Sequence, residues 1–279
     1  MTSIVPQLFD RALYLARQKK ASAASVPLLT HVAEELGERL SVINHLFGRV
    51  LLIAPARTPF EAMLSASGKC AAIEFLEPQT TDDLALPAAT YDAVFSLLDL
   101  HCVNDVPGYL AQCARSLKPD GLFMMGCFAG ETLAELRQAW LAAESEMTGG
   151  ASPRVAPMIG VREMGALLQR AGLALPVTDS DHMTLRYATP LALLREIKVF
   201  GFANPLHERQ KTLTARQLLA RAMQHYAQEN SDTDGRVRAS FDLLWALAWK
   251  PHESQPQPKK PGSATISLAE VLKNLDHEK

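Results

Sequence analysis

An α/β protein built on a mostly parallel sheet with helices on both faces is the fold class that this sequence predicts. Two short apolar runs, residues 50–54 and 93–98, are bounded by Pro, Gly or Asp and are rich in branched or aromatic side chains. Strands buried on both faces of a parallel sheet read this way. Residues 59–67 between them fit a short helix. Strand, loop, helix and strand make a βαβ unit, and such units gather ligands at the carboxyl ends of their strands. Later, two helical segments follow one another directly over about 190–230, which adds a small helical lobe to the alternating pattern.

The other elements follow in order. Leu28, Leu29, Val32, Leu36, Leu40, Ile43 and Leu46 recur at three- and four-residue steps, predicting an amphipathic helix over 27–46. His31 and His45 on it read as surface or satisfied core histidines. Tyr109, Leu110, Cys113 and Leu117 place a helix over 107–117, and Lys118-Pro119-Asp120-Gly121 then turns the chain into a buried strand over 122–128. Asp92 and Asp120, just ahead of apolar strands, read as turn or capping residues. A helix over 133–147 points Leu136, Trp140 and Leu141 inward and Glu135, Arg137 and Glu144 outward, ending at Gly149-Gly150. Helix 162–171 and a partly exposed edge strand over 177–187 precede the helical lobe. Phe241, Leu243, Trp245, Leu247 and Trp249 alternate with smaller residues, which predicts a strand with one heavily packed face. Domain organisation is therefore N-terminal helices over 1–47, the α/β unit over 48–250 and an extended Pro- and Lys-rich tail over 251–279, with a short helix at 267–275.

Composition narrows the function classes. Hydrophobic residues make up 48% and charged residues 21%, and 28 Lys+Arg stand against 30 Asp+Glu for a net charge of −2. No overall field draws the chain to nucleic acid or anionic lipid. Cys70, Cys102, Cys113 and Cys127 show no C-x-x-C spacing, so buried free thiols in a reducing compartment are expected, with no metal-ligand set. No apolar run approaches the roughly 18 residues of a transmembrane helix, and the N-terminus lacks a secretory pattern, although Arg11, Arg17, Lys19 and Lys20 weakly resemble a transit peptide. A cytoplasmic protein is expected.

The loop after the first strand, Ala54-Pro55-Ala56-Arg57-Thr58-Pro59, contains no glycine. Close approach of backbone to a nucleotide favours residues without Cβ and often with φ > 0. The two prolines also remove two N–H donors.

Several strings carry a family resemblance. The element order, Tyr91-Asp92-Ala93-Val94 and the Leu-Lys-Pro-Asp-Gly turn at 117–121 resemble a Rossmann-like class I S-adenosylmethionine-dependent methyltransferase. Phe9-Asp10-Arg11, Leu100-His101-Cys102-Val103-Asn104-Asp105, the string from Gly130 to Arg137 and Gly149-Gly150 with Ser152-Pro153 narrow it to the complex I assembly-factor branch. So do Trp249-Lys250-Pro251-His252-Glu253-Ser254-Gln255 and Gly262-Ser263-Ala264-Thr265. The resemblance implies an arginine hydroxylase of mitochondria and alphaproteobacteria that acts on a complex I subunit, related to the malonyl-carrier-protein methyltransferase of biotin synthesis. A eukaryotic source would put it in the mitochondrial matrix, a bacterial one in the cytoplasm, peripheral to the inner membrane.

The departures from the family pattern matter as much. The family's first motif is acidic-x-Gly-x-Gly-x-Gly; here Leu52 stands at the acid, and Ala54, Ala56 and Thr58 at the glycines. Glu74 is the candidate for the acid that holds the ribose, and Asp82-Asp83 for the acid near the adenine. Residues 74–91 are too few for the usual helix and third strand. S-adenosylmethionine is therefore expected to bind weakly or not at all, which makes a pseudoenzyme that binds a protein partner, a complex I subunit by the resemblance. The alternative is an active methyltransferase or hydroxylase on a protein or carrier-protein substrate, with His101, Asn104 and Asp105 as catalytic candidates. For His101 and Asp105 the competing reading is a cap or turn after a strand. Trp245 and Trp249 read as core aromatics, while the family string nominates Trp249, His252, Ser254 and Gln255 for partner binding. Ser254 and His252 lack an orienting acid or oxyanion donors, so they do not read as a nucleophile–base pair.

Overall fold

A computed structural model describes residues 7–21 and 27–256. The Gly262–Thr265 string, the helix expected at 267–275 and most of the tail fall outside the described residues.

In chain order the elements are α1 (Arg11–Lys20), α2 (Pro27–Ser41), β1 (Phe47–Ile53), α3 (Phe60–Ala66), β2 (Cys70–Leu76), β3 (Tyr91–Leu97), α4 (Val106–Ser116) and β4 (Leu117–Ala129). They continue with α5 (Ala134–Thr148), α6 (Val161–Arg170), β5 (Ala174–Tyr187), α7 (Pro190–Val199), α8 (Arg216–Asn230) and β6 (Val237–Trp249). The strands form one sheet in the order β2-β1-β3-β4-β6-β5. β2, β1, β3 and β4 run parallel, and β6 is antiparallel to both β4 and β5. The α/β reading holds, with its mostly parallel half at the start of the chain.

Each parallel strand has a local cause. β3 is buried along its length apart from Asp92, and Val94, Phe95 and Leu97 are fully inaccessible. Asp92, expected as a turn or cap residue, ties strand starts together: its carboxylate accepts from the Arg49 amide at 2.7 Å and from Lys118 Nζ at 2.8 Å. The turn expected at 118–121 is a kink inside β4, where Asp120 has φ 62° and the β3–β4 register shifts. No helix or strand lies between β2 and β3, and Leu84 and Leu86 from that short connection are buried. β2 therefore closes one edge of the sheet.

Two hydrophobic layers flank the sheet. On one face Leu36 and Leu40 of α2, Phe60 and Leu64 of α3, Trp140 of α5 and Tyr226 of α8 pack with Leu52, Phe95 and Trp245. On the other, Tyr109, Leu110 and Cys113 of α4 and Met164 and Leu168 of α6 pack against Val94 and Phe123. The helical lobe expected at about 190–230 shares the first of these cores through Leu193, Ile197, Leu218 and Tyr226.

Three expectations need correcting. The helix expected over 27–46 ends at Ser41, and Leu46 is largely exposed. In α5, Leu141 is exposed and Glu144 is buried, the reverse of the pattern expected. β6 is packed on both faces because it lies between β4 and β5; Leu244, Ala246 and Ala248 are as buried as Leu243 and Trp245.

Candidate functional site

Two regions at the carboxyl ends of the parallel strands could hold a ligand. The first is the tip of β1 with the β2–β3 connection, where the cofactor of this fold would lie. Ala54 is fully buried, and Arg57 in the same loop makes a two-pronged ion pair with Glu61 on α3 at 2.6 Å for each contact. Glu74 does not stand at a strand tip. It sits within β2, in register with Leu51, and its carboxylate accepts from Arg49 Nε at 2.6 Å and the Tyr91 hydroxyl at 2.9 Å. The bond from Arg49 holds its pKa below the usual value.

Asp82 and Asp83 are partly occupied: Asp82 Oδ1 is buried, has no hydrogen-bond partner among the described residues and lies 3.9 Å from Arg11 Nε. Asp82 Oδ2 accepts from the backbone amides of Asn104 at 3.1 Å and Asp105 at 2.8 Å, and its carbonyl accepts from Gln112 Nε2 at 2.8 Å. Asp83 accepts from the Ala85 amide at 3.0 Å. The Asp82 carboxylate, in the β2–β3 connection, is thus bound through one oxygen to the protein's own backbone and keeps the other without a partner among the described residues. Because β2 and β3 are joined so tightly, the acid falls against the loop after β3 instead of against open space. On this geometry the residues present do not fit S-adenosylmethionine in a glycine cradle, and no chemistry through that cofactor is derived from them.

A buried ion pair, not foreseen from the sequence, lies beside this region. Arg11 of α1 donates to Asp99 through Nη1 at 2.7 Å and Nη2 at 3.2 Å, and also to the Gln79 carbonyl at 2.9 Å. Both side chains are buried, 4% and 0% exposed. Burial raises the Asp99 pKa and the facing guanidinium opposes that rise. The Phe9-Asp10-Arg11 string and the basic pattern of Arg11, Arg17, Lys19 and Lys20 gave no hint of this role for Arg11. Its helix is started by Asp10, whose side chain accepts from the Leu13 amide at 2.9 Å.

The three catalytic candidates part company. Asn104 grips the chain start, accepting from the Phe9 amide at 2.7 Å and donating to the Phe9 carbonyl at 3.1 Å. Asp105 is the N-cap of α4, accepting from the Gly108 amide at 2.9 Å. Only His101 lines a cavity. Leu98 takes φ 54° at the end of β3, and the following one-turn 3-10 helix carries His101 into the interior.

That cavity is the second region, about 420 Å³ between α1, α5, α7 and the ends of β3 and β4. His101 is 7% exposed and stacked among Tyr14, Phe128 and Phe202, with ring centroids 5.3–6.2 Å away. Among the described residues neither ring nitrogen has a hydrogen-bond partner. Burial, with Arg11 nearby, lowers its pKa to about 3, so the ring is neutral. Thr132, Leu133 and Leu136 from the string 130–137 join the wall, and Arg154 and Trp140 complete it on one side. Glu144 accepts from the Ser152 amide at 2.6 Å, Ser152 Oγ at 2.7 Å and Arg154 Nε at 2.7 Å. Those bonds hold Arg154 over the Trp140 ring at 4.7 Å. In the string from Gly130 to Arg137, Thr132 Oγ1 donates to the Asp242 carbonyl at 3.1 Å and Glu135 accepts from Ser240 Oγ at 2.5 Å, clamping the end of β4 to β6.

The C-terminal string folds back on the opposite end of the sheet. Gln255 Nε2 donates to Asp120 Oδ1 and to the Lys250 carbonyl, both at 2.8 Å. His252 Nδ1 lies 2.7 Å from Ser254 Oγ at an exposed position. Trp249 is half-buried against His45, 6.0 Å between ring centroids. His31, expected as a surface or satisfied histidine, pairs with Asp181 at 2.8 Å, and with Glu35 the three could meet a metal ion at a partly exposed sheet edge.

Comparison with known proteins places this architecture. A methyltransferase-domain family profile matches residues 37–125. Over 244 residues the chain is 34% identical to the mitochondrial arginine-hydroxylase NDUFAF5 of Danio rerio, covering 88% of this chain and 73% of that protein. The chain belongs to the NDUFAF5 family. Mouse NDUFAF5 is 39% identical over 68% of this chain and 56% of its own length, so there the match spans little more than half the relative. A malonyl-[acyl-carrier protein] O-methyltransferase of Xylella fastidiosa is 33% identical over 66% of this chain and 60% of that enzyme. Among solved structures the YcgJ protein of Bacillus subtilis shares the fold, with TM-score 0.52 and 14% identity over 80% of this chain and 99% of that one. Among the described residues no helix is long and apolar enough to cross a membrane.

Proposed function

We propose that this chain is an NDUFAF5-family protein that acts by binding a protein partner and holds S-adenosylmethionine weakly or not at all. One observation carries the reading: Asp82 Oδ2, at the strand ends where the nucleoside would be gripped, already accepts two backbone amides. The glycine-free loop at 54–59 supports it. Each charge-assisted bond withheld from a ligand forfeits about 1.5–3 kcal/mol, so losing two lowers affinity by orders of magnitude. Family membership points to a complex I subunit as the partner, with Trp249, His252, Ser254 and Gln255 as contact residues and 251–279 as the segment that reaches it. Capture of that subunit by the full chain is expected to be unaffected by saturating S-adenosylhomocysteine and weakened by deleting 251–279. Capture that depends on the nucleoside contradicts the reading.

A second reading, an enzyme that modifies a partner side chain, is favoured by the cavity at the strand ends and by His101 in its wall. It predicts a mass change on the captured subunit that is lost in His101→Phe. An unchanged mass in the wild-type reaction rejects it.

A further inference from the structure

The cavity beside His101 has a charge pattern of its own. Among the described residues four basic side chains, Arg17, Lys20, Arg154 and Lys198, line it, and no Asp or Glu does. Arg154 is neutralised by Glu144 at 2.6 Å. Among the described residues no carboxylate forms an ion pair with Arg17, Lys20 or Lys198. Arg17 spends one guanidinium nitrogen on the carbonyls of Ala203 and Asn204. Lys20 and Lys198 are exposed, whereas His101 is nine-tenths buried. The cations therefore mark the mouth and the histidine marks the interior. Between them the walls are apolar, with Phe128, Leu136, Ile197 and Phe241 among them.

Each feature selects a ligand property. A volume of about 420 Å³ lies within the roughly 300–1,000 Å³ usual for small-molecule sites. Unpaired cations at the mouth favour an anion there and disfavour a cation. A buried imidazole with two unsatisfied nitrogens is costly unless something bonds to it. As a neutral ring it offers one donor and one acceptor, which a hydroxyl or keto oxygen can meet. We propose that this cavity binds an amphiphilic carboxylate: an apolar body within the walls, the carboxylate at Lys20 and Lys198, and a neutral oxygen at the far end bonded to His101. This site is separate from the Asp82 region, and its test uses neither S-adenosylmethionine nor a protein partner, so either reading can fail alone.

The probes are 10-hydroxydecanoate, decanoate and decyltrimethylammonium, titrated calorimetrically into the full chain. The expected result is 1:1 binding of 10-hydroxydecanoate, at least tenfold tighter than the cation and about fivefold tighter than decanoate, the advantage of one buried hydrogen bond. Lys20→Glu with Lys198→Glu should reverse the preference between anion and cation. Both side chains are exposed, so this variant keeps the test decisive if His101→Phe fails to fold. His101→Phe should abolish the preference for the hydroxyl while decanoate binding persists. The proposal is overturned if no carboxylate binds at millimolar concentration, if the cation binds as well as the acid, if the charge-reversed variant binds the acid unchanged, or if the hydroxyl preference survives in His101→Phe.

Discussion

His101 and Asp82 handle a polar group near the strand ends differently. Among the described residues the histidine has no partner and stays neutral; the partly exposed aspartate has taken two backbone amides on Oδ2 and left Oδ1 without a partner. Folded His101 stays unprotonated down to about pH 3, whereas an unfolded histidine takes its proton near 6.5. Below pH 6.5 the unfolded chain therefore binds the extra proton, and stability falls as pH falls. From pH 7 to 5.5 this group alone should remove about 1 kcal/mol. Urea unfolding of His101→Phe at the two pH values should show a pH-dependent loss smaller by that amount; an equal loss contradicts a buried neutral imidazole. Asp82→Ala separates structure from cofactor binding. It strips an acceptor from the Asn104 and Asp105 amides, and stability without ligand should drop by about 1–3 kcal/mol. A residue kept only for a nucleoside would leave the ligand-free protein unchanged. Arg11→Met isolates Asp99 in the interior, for which about 3–5 kcal/mol is expected, read as a lower urea midpoint at unchanged slope.

At the scale of elements, the join between β4 and β6 decides how the antiparallel half is held to the parallel half. Gly126 faces Trp245 across that join, and a Cβ on it would come within 2.9 Å of the indole ring. Gly126→Ala should cost about 1–3 kcal/mol by overpacking, and adding Trp245→Phe should recover part of it. If the double variant loses the sum of both single losses, the two residues are not coupled. The strands β1 and β3 and the helices α3, α4 and α6 were legible in the sequence because each carries its cause locally, in an apolar run or a three-to-four spacing. Glu144 was misread for an instructive reason. It lies four residues after Trp140 and eight after Leu136, so spacing alone puts it on the inner face; its charge argued otherwise. Ser152 and Arg154 supply the bonds that make burial tolerable, and nothing in α5 itself announces them. The two-sided burial of β6 was hidden likewise, since alternation of bulk does not reveal that a strand lies between two others. The Arg11–Asp99 pair joins residues 88 positions apart and left no local pattern.

Across the whole molecule, the shortened link between β2 and β3 connects the sheet to the function. It brings Asp82 against the loop after β3, lets Leu84 and Leu86 fill the interior and leaves β2 at the sheet edge. The missing glycines were visible in the sequence; the engagement of Asp82 Oδ2 by two backbone amides was not, because it depends on where the short link lands. The other end of the strand row keeps an open cavity lined in part by His101, Cys102, Thr132, Leu133 and Leu136. The central claim is that the strand ends are filled in the first region and open in the second. Calorimetric titration of S-adenosylmethionine into the full chain tests it most directly. No heat of binding up to millimolar ligand is the expected result, and a micromolar dissociation constant would contradict it.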